Sequence, residues 1–128
     1  MKDNQNEQLF SELTPAEAAV VEGGIGLYID RIQAIKTGAD PGNPDDTYIT
    51  VNGTKIWGNY SMTTGQSRDV NKTITRNGSS ARVELFDDDR NADDGLGGFT
   101  ARNTNGVLTR ARVSGGGSIY DVYYTAFP

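Results

Sequence analysis

Apolar and charged residues alternate one for one along Ala81-Arg82-Val83-Glu84-Leu85. Along 107–113 Val107, Thr109, Ala111 and Val113 share one parity and Arg110 and Arg112 the other. A period of two sends one set of side chains to a buried face and the other to water, the mark of a half-buried strand. Strand patterns also cover 27–35, 47–51 (Ile49 and Val51 on one face), 70–76, 98–103 and 118–127, which makes seven or eight strands. Asn52-Gly53, Asn77-Gly78 and Asn105-Gly106 each stand between strand-like runs. Asn-Gly suits a two-residue turn in which both residues need positive φ, so three type I′ hairpins are predicted. An all-β fold of two packed antiparallel sheets, a β-sandwich, accommodates these elements. Trp57, Tyr28, Tyr48, Phe86 and Phe99 are expected in its core. Gly115-Gly116-Gly117 is expected to be a flexible turn, because no helix follows to make it a phosphate cradle.

Before Gly24 the pattern is different in kind. Over 9–22 Ala and Glu are enriched and Gly is absent, with Leu9, Leu13, Ala16 and Val20 at spacings of three and four. Thr14 with Glu17 three residues later forms a capping-box pattern, Pro15 suits the first helical position, and Gly23-Gly24 ends the run. A short amphipathic N-terminal helix is predicted. The stretch from Leu13 to Gly24 resembles the double-glycine leader of bacterial products exported by peptidase-containing ABC transporters. Leu13, Thr14, Glu17 and Val21 fall on the leader's recognition positions and Gly23 and Gly24 on its processing site, while Ala18 is smaller than the usual leucine or isoleucine. The resemblance implies a leader over 1–24 and a β-sandwich domain over 25–128. It further implies a cytoplasmic precursor, cleavage after Gly24 and a secreted product, with the transporter as partner.

Charge sharpens this division. The chain carries −5 at neutral pH, of which residues 1–24 hold −4. After Gly24, eight of the twelve acidic residues lie in two clusters, Asp40 with Asp45 and Asp46, and Asp87, Asp88, Asp89, Asp93 and Asp94. Outside the clusters the body is basic. Cysteine and histidine are both absent, which removes disulfides, thiolate nucleophiles, Ser/His triads and the usual zinc or haem ligands. Only oxygen donors remain for a metal, and no apolar run approaches the roughly 18 residues that span a bilayer.

Both acidic clusters sit where a strand pattern gives way to a turn. Asp40 and Asp46 are six apart, the second followed by Thr47-Tyr48-Ile49, while Asp87-x-Asp89 precedes Asp94-Gly95-Leu96-Gly97. These two loops resemble those of a C2 domain, a β-sandwich whose loops share calcium at one end. The resemblance implies calcium as cofactor and Asp40, Asp46, Asp87, Asp89 and Asp94 as ligands, leaving Asp45, Asp88 and Asp93 as outer or solvated neighbours. Departures are a short domain, Thr47 where proline is common, and a second loop one residue tight. An EF-hand loop fits worse, with Ala92 where glycine is needed and Gly98 in place of the bidentate Glu.

The expected function is therefore that of an exported, non-enzymatic calcium-binding module. It would contact anionic lipid or glycan through the ion, helped by Arg102, Arg110 and Arg112. A bacteriocin-like or signalling product released from the leader is the alternative. A carboxylate-pair hydrolase lacks a pocket signature, and nucleic-acid binding lacks an interleaved aromatic platform.

Overall fold

A computed structural model describes residues 23–39, 42 and 44–128 of the 128-residue chain. The helix and recognition positions of the leader, and Asp40, lie outside the described residues. Eight strands follow one another: β1 (Ile25–Lys36), β2 (Asp45–Val51), β3 (Thr54–Met62), β4 (Ser67–Arg76), β5 (Ser80–Asp87), β6 (Asp94–Arg102), β7 (Thr109–Gly115) and β8 (Ser118–Phe127). They form two antiparallel sheets of four, ordered β4-β1-β8-β7 and β3-β2-β5-β6.

Strand alternation builds the core. Ile49 and Val51 of β2, Val83 and Leu85 of β5, Leu27, Ile29 and Ile32 of β1, and Val122 of β8 are all buried between the sheets. Burial of this apolar surface, about 25 cal/mol per Å², is what holds the two layers together. Trp57 joins the core as expected, and Phe99 packs against its edge. Tyr28, Tyr48 and Phe86 do not. They are half-buried, with Tyr48 and Phe86 stacked at 5.3 Å on the outer face of the second sheet, because their parity is opposite to that of Ile49 and Leu85. The buried tyrosines are Tyr120 and Tyr124 of β8.

Of the three predicted hairpins one forms. Asn52 and Gly53 adopt φ of 48° and 84° and join β2 to β3. Asn77-Gly78 and Asn105-Gly106 instead carry the chain from one sheet to the other, from β4 to β5 and from β6 to β7. The latter connection also takes Val107 out of its predicted strand, leaving Val107 and Leu108 exposed before β7 begins. Gly116 and Gly117, both at positive φ, form a tight β7–β8 turn rather than a loose one. A Cβ on Gly38 would lie 2.6 Å from the Gly117 carbonyl oxygen, so this turn is wedged against the β1–β2 connection.

On the outer face of the first sheet Asp121 is almost fully buried. Arg112 Nε and Nη2 donate to its two carboxylate oxygens at 2.7 and 3.0 Å, and Arg110 stands 3.9 Å away. The hydrogen bonds from Arg112 hold the Asp121 carboxyl below the usual range. A lowered folded pKa contributes stability that is complete above the unfolded value of about 4 and is lost as pH falls through the lower folded value. Denaturant titrations of the parent and Asp121→Asn should therefore show a stability gap at neutral pH that narrows below about pH 4. A gap independent of pH would deny the ion pair this role.

Candidate metal centre at the loop end

The end of β1 and the start of β2 lie at one end of the sandwich with the connections β3–β4 (63–66), β5–β6 (88–93) and β7–β8 (116–117), since consecutive strands run in opposite directions. Asp87 is the last residue of β5 and Asp94 the first of β6, and the ladder pairs them directly. Asp89 follows two residues later. One carboxylate oxygen from each of Asp87, Asp89 and Asp94 lies within 4.8 Å of the others. Two carboxylates about 5 Å apart repel by roughly 1 kcal/mol in water and roughly 3 kcal/mol at an effective dielectric of 20, so the arrangement favours a cation.

Three of the five predicted ligands are thus brought together. Asp46 stands beside them through its backbone: its N–H donates to Asp87 Oδ1 at 2.7 Å, and its carbonyl accepts the Asp88 N–H at 2.9 Å. Its side chain is exposed.

The remaining loop carboxylates are held by the outer face of the sheet. Asp93 Oδ1 accepts the Asp89 N–H at 3.0 Å and Oδ2 accepts the Tyr48 hydroxyl. This bond lowers the Asp93 pKa and pushes Tyr48 up to about 12. The Asn59 amide donates to Asp88, Lys55 donates to Asn59, and the Lys55 ammonium lies 4.9 Å over the Tyr48 ring. Tyr48 thereby fixes Asp93, and Asp93 fixes the backbone at Asp89.

Asp45 is not solvated. It is fully buried, and its Oδ2 accepts the Ser118 and Tyr120 hydroxyls at 2.8 and 2.9 Å. Ser118 Oγ in turn accepts the Gly38 and Ala39 N–H groups, and Thr47 shares a hydrogen bond with Tyr120, whose hydroxyl pKa is raised by burial. This polar network anchors the β1–β2 connection to β2 and β8. The signal for it was present: period two counted back from Ile49 through Thr47 turns Asp45 inward.

The arginines expected to help an anionic contact stand elsewhere. Arg112 is taken by Asp121, and Arg102 closes β6 at the far end of the sandwich. Among the described residues no helix is long and apolar enough to cross a membrane.

No protein-family model and no curated protein sequence matches the chain. Solved structures do. The chain is similar to a structure described as that of a C2 domain, at 16% identity and a TM-score of 0.53 over 82% of this chain and 98% of that one. It is similar to a calcium-bound structure of the two C2 domains of extended synaptotagmin 2, at 15% identity and TM-score 0.53 over 82% of this chain and 45% of that one. A third likeness is to human GIVD cytosolic phospholipase A2 in complex with an inhibitor and terbium chloride, at 15% identity and TM-score 0.51. It covers 81% of this chain but only 17% of the enzyme, so it bears on one part of that protein. At these identities the likeness is one of fold: the described sandwich is C2-like.

Proposed function

We propose that this chain is a calcium-dependent binding module without enzymatic activity, exported by means of a double-glycine leader. The observation that supports it most is the convergence of Asp87, Asp89 and Asp94 within 4.8 Å at the loop end of a C2-like sandwich. The donor set suits a hard divalent ion, since calcium takes six to eight oxygens from flexible loops and the chain has no histidine or cysteine to favour a softer metal. Asp87, Asp89 and Asp94 would hold the ion, with Asp46 beside them and Asp40 completing the set that the C2 resemblance implies. Bound calcium would turn an acidic tip into one that attracts anionic groups, of which a lipid headgroup is our first choice. Export before folding would deliver the loops to an environment rich in the ion. Cosedimentation with phosphatidylcholine vesicles, with and without phosphatidylserine, tests the lipid contact. We expect pelleting only with phosphatidylserine and calcium together. Equal pelleting in EDTA would overturn the calcium bridge, and retention by an acidic polysaccharide but not by vesicles would move the contact to glycan.

A further inference from the structure

If the leader reading holds, the bond to be cut lies between Gly24 and Ile25, and its downstream side is already inside the fold. Gly24, Ile25, Gly26 and Leu27 are all buried. Ile25 pairs with Arg76 of β4, and Gly26 and Leu27 are paired on both sides, with Thr75 and Ile74 of β4 and with Phe127 and Ala126 of β8. A Cβ on Gly26 would lie 2.2 Å from the Phe127 ring, so that ring covers the second residue after the bond. Ser79 and Asn103, from the β4–β5 and β6–β7 connections, line the recess around Gly23 and Gly24.

A peptidase binds several residues on each side of the scissile bond as a single extended strand. Here the residues on the downstream side are the first rungs of an interior strand, with Ile25 and Leu27 in the core. They cannot lie in the sandwich and in a peptidase cleft at once. We propose that the fold itself hides the processing site, so that leader removal must precede folding and a folded precursor keeps its leader. This rests on the leader reading and adds an order of events to it. Folding becomes the step that ends eligibility for cleavage, and the pool of unprocessed chains is set by the race between folding and capture by the transporter.

The test uses the isolated peptidase domain of a transporter that cleaves double-glycine leaders. Its substrates are the folded full-length chain, the same chain held unfolded by core substitutions (Leu85→Ala with Val122→Ala), and a synthetic peptide covering residues 1–30. We expect the folded chain to be cut at least about 100-fold more slowly than the peptide, because cleavage waits on local opening. The unfolded chain should be cut at the peptide's rate. A folded chain carrying an eight-residue Gly/Ser insertion between Gly24 and Ile25 should regain cleavage, since the bond then stands clear of β1. Equal rates for folded chain and peptide would overturn the proposal while leaving the leader intact. An uncut peptide would overturn the leader reading beneath it.

Discussion

Asp89→Asn should invert the response of the protein to calcium: in EDTA the variant melts at or above the parent's temperature, and in millimolar calcium it melts below it. Without a cation, Asp89 adds a third negative charge to Asp87 and Asp94 within 4.8 Å, and neutralising it relieves about 1 kcal/mol or more of repulsion. Asn keeps a carbonyl oxygen and an amide of similar size, so packing of the half-buried side chain is preserved. With calcium, the parent gains RT ln(1 + [Ca]/Kd), about 2.7 kcal/mol at a hundredfold excess, whereas the variant has lost a charged ligand and gains much less. For a domain near 100 residues this corresponds to a parent shift of roughly 10 °C. Thermal unfolding of the full chain at matched ionic strength reads both arms. A parent indifferent to calcium would remove the metal site, and a variant that shifts as far as the parent would remove Asp89 from it.

Gly97→Ala is expected to be the most damaging small substitution near the site, at about 3 kcal/mol. Gly97 has φ of 110°, and an added Cβ would sit 2.6 Å from the Ser114 carbonyl oxygen and 2.7 Å from its nitrogen. Both are backbone atoms of β7, so no side chain can swing aside. A positive φ costs a non-glycine residue roughly 1–2 kcal/mol, and overpacking adds roughly 1–3 kcal/mol. Two controls separate these terms. Gly53→Ala keeps the φ strain with nothing within 4 Å, and Gly95→Ala has neither strain nor neighbour. Chemical denaturation should rank them Gly97, Gly53, Gly95 in order of loss. Gly97→Ala as mild as Gly95→Ala would show that β6 and β7 are free to separate there.

How much of this was legible in the sequence depends on which signal each residue obeys. Ala81 to Leu85 alternate strictly, and β5 lies where that pattern puts it. The bounds of β3 were not readable, because its pairing with β2 shifts register twice and Gly58 and Asn59 interrupt any alternation. Asn-Gly marks a local conformation but not a partner, so it located the β2–β3 hairpin and two crossings between sheets alike. Asp87, Asp89 and Asp94 were legible as a group because a hairpin brings near sequence neighbours together. Gly97, seen in the sequence as part of a loop motif, is fixed by Ser114 of another sheet, and no local pattern reports that contact. Asp45 shows the opposite failure: its parity was readable, but its charge argued for the surface, and only the fold brings two hydroxyls of β8 to its Oδ2.

β1 and β8 run side by side in opposite directions, with Gly26 opposite Phe127 and Lys36 opposite Ile119. A pull applied between residues 25 and 127 therefore loads the ladder one rung at a time, as a zipper opens, and never shears all its hydrogen bonds together. The acidic loops lie at the far end, where an ion would brace the last rungs to part and not the first. Placed under tension, the domain is a soft link that yields early.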